Sequence, residues 1–440
     1  MTWLSVSDDM RVLWICSYPP YPPDFGGARR TYNLLEQAAR AGHQIDLLAF
    51  ATGDADRDAQ AAAALRPLCA GVELVRDPWA LPAALGAGDA GAVGRKRRGQ
   101  LQALLSHRPY QFYAHYSAAM QAAIDRRTPG PAYDLIQVEF SQMAYYRLPP
   151  GVPAFLDLHN VEYEILGRVA QAGGPPLRRM YNWSEYIKFR REEPRLWRRF
   201  TCLLVTSERD GRLVQTAWPG APIVVVPNGV DTGFFQPPAA GRGGDSPAAP
   251  QIVFTGMMAY YPNHDAVVYF AATIWPAIRR ALPALAWLIV GAEPPPAVRA
   301  LAAPGNGITV TGRVADVRPY VWRSQASVVP LRMGGGTRLK IVEALAMGQA
   351  VVSTRVGCEG IAVEPGVNLL VADDPAAFAG AVVGLLRDPA RAARIGAAGR
   401  ALAAQAYSWP VVARPMLEAW ERVRGQGSGV GDQGRVGSRQ

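Results

Sequence analysis

Residues Ser327 to Gly360 read SVVPLRMGGGTRLKIVEALAMGQAVVSTRVGCEG, an apolar strand, three consecutive glycines, a helical segment and a second apolar strand. Parallel strands need a crossover of this kind, so the stretch predicts an α/β layer structure. Gly334, Gly335 and Gly336 can take backbone angles closed to other residues and leave room for a ligand to approach. The helix that follows offers unpaired N–H groups and a positive dipole end, which together suit an anion. Arg338 and Lys340 stand in its first turn, where a cation opposes the dipole, and a bound diphosphate would account for both.

Lysine is rare here: only Lys96, Lys188 and Lys340 occur, and the other basic side chains are arginines. A compact ammonium differs from a planar guanidinium, and beside a glycine turn it reads as a point charge aimed at a phosphate oxygen.

The chain has 440 residues, 49% of them hydrophobic, enough for two domains of ordinary size. Its net charge of +10 favours anionic partners. No zinc-finger spacing, basic heptad region or aromatic RNA motif is present, so no nucleic-acid partner is expected. Cys16, Cys69, Cys202 and Cys358 are widely spaced, and reduced core thiols are expected. Met1 to Met10 carries Asp8 and Asp9 but no early Lys or Arg, and the apolar run Ala281 to Ala292 is short and broken by Pro283. A cytoplasmic protein without a transmembrane helix is expected, with a peripheral position at the inner face of the plasma membrane as an extension.

Working outward, short apolar strands are expected at Arg11–Ser17, Gln44–Ala49, Val72–Val75, Leu135–Val138, Ala154–Leu158, Cys202–Thr206 and Ile223–Val226. A second series is expected at Ile252–Thr255, Trp287–Val290, Ile308–Thr311, Ser327–Val329, Ala350–Ser353 and Leu369–Val371. Between the series, QPPAAGRGGDSPAAP has no apolar period and reads as a linker or exposed loop. The expected domains are residues 1–236 and 251–405, a linker at 237–250, a helix at 406–424 packing back on the first domain, and a disordered tail at 425–440. Loops after parallel strands gather along one sheet edge, where ligands bind. Gly26 and Gly27 are expected in a turn on that edge, together with His159.

Two doubly wound domains, with the Gly26-Gly27 turn, HNVEYE from His159, VPNGVD from Val226, FTGMM from Phe254, TGRVADV from Thr311 and GGGTRLKIVEALAMG, resemble the retaining family 4 glycosyltransferases of the GT-B fold. The resemblance covers nearly the whole chain. It implies sugar transfer from a UDP- or GDP-sugar donor, a substrate rather than a cofactor, to a glycan or lipid-linked acceptor in polysaccharide assembly. No metal requirement is implied, and the Asp54-Ala-Asp56 pair reads as part of a loop. By the same resemblance His159 meets the transferred sugar, Glu343 holds the ribose hydroxyls and Gly312, Arg313 and Val314 meet the nucleobase. Gly26, Gly27, Gly256 and the turn from Gly334 to Thr337 line the donor site. The chain departs from relatives at Gly335, where many carry a second acid. It departs again at Met257 to Tyr261, where relatives place an Arg and a Lys. Arg338 and Lys340 are the expected replacements, acting on the leaving diphosphate as its charge develops.

From Arg178 to Arg199 eight basic residues alternate with Trp183, Tyr186, Phe189 and Trp197, making an anionic membrane surface a candidate partner. Pro194 is expected to interrupt any helix there. Two rival readings are a GT-B-like phosphorylase or epimerase and a noncatalytic nucleotide-sugar or glycan-binding protein. A nicotinamide oxidoreductase fits less well, because Gly26-Gly27 lacks three-glycine spacing.

Overall fold

A computed structural model of the chain describes residues 9–76, 98–127, 133–171, 175–238, 250–333 and 338–428. The glycine turn from Gly334 to Thr337, most of the 237–250 linker and the tail beyond 428 lie outside the described residues. The chain divides into two compact units, one running to Val226 and resuming at Ala413, the other from Pro227 to Val412.

The first unit is a seven-stranded parallel sheet of β1 (Arg11–Cys16), β2 (Gln44–Phe50), β3 (Gly71–Val75), β4 (Leu135–Glu139), β5 (Ala154–Leu158), β6 (Cys202–Val205) and β7 (Ile223–Val225). Their spatial order is β3-β2-β1-β4-β5-β6-β7. In the second unit β8 (Gln251–Thr255), β9 (Ala286–Val290), β10 (Ile308–Gly312), β11 (Ala326–Val329), β12 (Val351–Ser353) and β13 (Leu370–Val371) follow the order β10-β9-β8-β11-β12-β13. The described pairings are parallel throughout. Central strands of such sheets are covered on both faces, which is why β4, β5 and β11 read as continuous runs and are buried along their whole length. Strand order reverses between β1 and β4 and again between β8 and β11, and ligands settle at such switch points.

Several expectations are corrected. The unit boundary falls at Pro227, ahead of the linker, because Val230 and Phe235 are buried in the second unit's core. Gly26 and Gly27 do not form a turn; they open the Gly26–Arg40 helix. Asp54 stands outside the Ala55–Leu65 helix, but Asp56 lies within it, not in a loop, and the Asp54 carboxylate caps the helix by accepting from the Asp56 and Arg57 amides. Pro194 does not interrupt its helix, which runs unbroken from Pro176 to Trp197. A proline this close to the C-terminus disturbs only the last turn. The final helix spans Trp409–Ser428, four residues further than expected, and carries Trp420 against Trp14 and His43. No described helix is long and apolar enough to cross a membrane.

Asp374 caps the Pro375–Arg387 helix by accepting from the Ala376 and Ala377 amides, each at 2.9 Å. Asp374→Ala is expected to cost about 1 kcal/mol in denaturant unfolding, with no change in the far-UV spectrum of the native state.

Candidate functional site

Each sheet carries a polar cluster at the switch-point edge. In the first unit the Gly26–Arg40 helix sends Arg30 under the sheet edge, where Nε and one terminal nitrogen grip both oxygens of Asp157 at 2.8 and 2.9 Å. Its other terminal nitrogen donates to the Val226 carbonyl at 2.8 Å, tying the helix to the strand exit of β7. Arg30 and Asp157 are both fully buried, so the pair holds its geometry by mutual compensation.

His159 follows β5, and its Nε2 lies 2.7 Å from the Glu139 carboxylate at the end of β4. Glu139 also accepts from Thr31 at 3.1 Å and Gln137 at 3.3 Å. Burial pushes the Glu139 carboxyl up and the His159 imidazole down, so the ring is neutral in the folded protein. Burial also raises Asp157, against the pull of Arg30. Glu139, Asp157 and His159 lie close enough to hold a cation. Their oxygens are already committed to Arg30, Thr31, Gln137 and His159, and a guanidinium occupies the place of a positive ion, so the set does not suit a metal.

Phe140, next to Glu139, has φ of +72°, a strained conformation for a bulky residue. It lays its ring on His159 with centroids 3.7 Å apart. Tyr18 meets the edge of Phe140, and its hydroxyl is buried without a partner among the described residues. A Cβ on Gly27 would overlap that hydroxyl, so a larger residue there would force Tyr18 to shift.

In the second unit three glycines line the adjacent ends of β8, β9 and β10: Gly256, Gly291 and Gly312, with φ of 152°, 154° and 71°. A Cβ on Gly291 would run into the Gly256 carbonyl oxygen, and the Gly291 amide donates to Gly312. The result is a side-chain-free shelf across half the sheet edge. Lys340, in the first turn of the Leu339–Ala346 helix, reaches its start: Nζ donates to Asn263 Oδ1 at 2.6 Å and stands 3.8 Å from the Phe254 ring centroid. Asn263 is held in turn by donating to the Met257 carbonyl at 2.8 Å. Burial, and then Arg338, push the Lys340 ammonium down to about 7, against the pull of Glu343. Arg338 is buried and reaches the Val356 carbonyl, while Glu343 is half-buried.

At the far end of the shelf Gly312 and Arg313 border an open concavity of about 540 Å³, shared with Glu293, Pro294, Arg299 and Thr311. Val314 does not line it and packs against the core instead. Arg332 is pinned by Asp265, which lies on the same helix as Asn263, so that helix grips both the chain entering and the chain leaving the glycine turn. Arg30, Glu139, Phe140, Asn263 and Gly291 carry no local signature, since the contacts that place them at these clusters come from other elements.

Removing one member of a buried ion pair strands the other. Arg30→Met is expected to cost about 3–5 kcal/mol in denaturant unfolding. The double variant Arg30→Met with Asp157→Leu is expected to recover much of that loss; no recovery would show that Arg30 acts through packing alone.

Residues 26–234 match the family described as Glycosyltransferase Family 4, and residues 249–388 match Glycosyl transferases group 1. No curated protein matches significantly in sequence. Among solved structures, sucrose-phosphate synthase from Thermosynechococcus elongatus superposes with a TM-score of 0.64 at 18% identity, over 94% of this chain and 100% of that one. Anabaena HepE in complex with UDP-glucose gives 0.64 at 15% identity over the same shares. A glycosyltransferase from Rickettsia africae gives 0.62 at 13% identity, over 94% and 99%. These likenesses establish the GT-B fold. With both units matched in turn, the chain belongs to the group 1, family 4 glycosyltransferases and is an enzyme of that class.

Proposed function

We propose that the chain moves a sugar from a nucleoside diphosphate sugar to a glycan or lipid-linked acceptor, with retention of configuration, in polysaccharide or envelope glycan assembly. The observation that carries this reading is Lys340, a lone compact cation seated on Asn263 and Phe254 at the start of the glycine shelf. Lys340 and Arg338 stabilise the diphosphate as it departs, with the amides of Gly334, Gly335, Gly336 and Thr337 as further donors. Gly256 leaves space for the phosphates, Glu343 takes the ribose hydroxyls and the concavity at Gly312 and Arg313 takes the base. Neutral His159 offers one ring nitrogen to the sugar while Glu139 holds the other. Gly26 and Gly27 present the open start of their helix to the donor. The two cations take the part that a metal ion plays in other transferases.

Uridine is favoured as the base because solved structures of similar fold hold UDP or UDP-glucose, with guanosine as the alternative. A lipid-linked acceptor is presented at a membrane, and the exposed arginines between Arg178 and Arg199 suit an acidic one.

Calorimetry with UDP and GDP tests the donor site. Selective binding of one nucleotide is expected, weakened at least tenfold by Lys340→Ala; no binding of either would sink the proposal. A diphosphate binds the charged form of Lys340, which the free protein loses as pH rises through about 7. Nucleotide affinity is therefore expected to fall between neutral and alkaline pH, and Lys340→Ala to flatten that profile. The linkage to stability has the opposite sense. An unfolded chain keeps the proton up to about 10.5, so this group's contribution to stability is present at alkaline pH and lost as pH falls toward 7.

A further inference from the structure

Thirteen large apolar side chains are exposed among the described residues, and six of them lie on two neighbouring helical segments of the first unit. Leu101, Leu104 and Leu105 belong to the turns at 98–105, with Leu105 88% exposed. Leu177, Met180 and Ile187 belong to the Pro176–Trp197 helix, with Leu177 77% exposed, and their three- and seven-residue spacing puts them on one face. The segments are fastened together: Lys188 donates to the Ala103 carbonyl, Glu185 accepts from the Tyr110 amide, and Gln100 hydrogen-bonds Tyr181. These contacts use the polar groups of both helices and leave the apolar rows turned outward.

The charge around these rows has one sign. Every exposed charged side chain from Pro176 to Trp197 is an arginine, namely Arg178, Arg179, Arg190, Arg191 and Arg195, while Glu185 and Glu193 are buried and Glu192 is half-buried beside Arg195. In sequence the leucines follow directly on Arg95-Lys96-Arg97-Arg98, and no Asp or Glu occurs between Asp89 and Asp125. Scattered long aliphatic side chains framed by arginine match an interface that is apolar inside and anionic outside. We infer that this face is an insertion surface for an anionic phospholipid bilayer, the leucines, Met180 and Ile187 entering the acyl boundary and the arginines meeting the lipid phosphates. A second copy of the chain is the poorer occupant, since a two-fold contact would set arginine against arginine.

The inference deepens the lipid-linked acceptor reading, and its test does not need the donor site. Purified full-length protein is sedimented with vesicles of phosphatidylcholine alone and of phosphatidylcholine mixed with phosphatidylglycerol, without nucleotide. Binding only to the acidic vesicles, weakened by salt, is expected. It should fall roughly tenfold or more in Leu101→Ser/Leu104→Ser/Leu105→Ser and in Arg178→Gln/Arg179→Gln, with thermal unfolding and UDP binding unchanged in both. The inference is overturned if the wild-type protein leaves acidic vesicles in the supernatant, or if the triple leucine variant binds them equally well. It is also overturned if ultracentrifugation shows a dimer that the leucine substitutions dissolve while vesicles bind neither form. UDP binding in the same samples reports separately on the donor reading.

Discussion

A guanidinium wholly removed from water organises the first unit. Arg30 reaches from the first helix to Asp157 on β5 and to the carbonyl of Val226 after β7, so one side chain ties that helix to two strands on the β4 side of the switch point. Such a group is tolerated because it is paired with the equally buried Asp157 and donates as well to the Val226 carbonyl. Its consequence is positional. With Asp157 committed to Arg30, Glu139 is left to hold His159, and the ring is oriented by one carboxylate instead of being shared between two. Phe140 closes the other side of that ring from a backbone conformation that an ordinary loop would not keep.

The second unit solves its problem by removing side chains. Gly291 lets the end of β9 press on the Gly256 backbone, and Gly256 leaves room for the Lys340 and Asn263 side chains. Charge then arrives from a separate element, the helix that carries Lys340, and Asn263 fixes where it stands. Met257 to Tyr261 carry no Arg or Lys, and Lys340 brings a cation to the end of β8 from across the switch point. The first unit's cluster is held by ion pairing, the second unit's by close packing at Gly256 and Gly291.

Most of the architecture was legible because a parallel sheet writes itself as uninterrupted apolar runs. Ala154–Leu158 was read to the residue, and β1, β9 and β12 to within one. The chemistry was legible only where composition made it conspicuous, as with a lysine in an arginine-rich chain. Arg30 and Asp157 are 127 positions apart, and Lys340 and Asn263 are 77 apart, distances over which no local pattern survives. The loop reading of Asp54-Ala-Asp56 failed beyond Asp54, because a polar, alanine-rich stretch hid the helix that Asp54 caps. Pro194 misled because position within a helix decides a proline's effect, and the end of that helix could not be located from composition.

The discontinuity of the first unit bears on how the chain is made. Its sheet is complete in sequence by Val225, yet the helix that covers Trp14 with Trp420 is synthesised after the whole second unit, which is continuous from Pro227 to Val412. Domains commonly fold in the order in which they emerge from the ribosome. Here that order is inverted for the finishing step: the second unit can close while the first still waits with part of its tryptophan surface bare, and a nascent chain stalled before Trp420 would hold one finished unit and one open to chaperones.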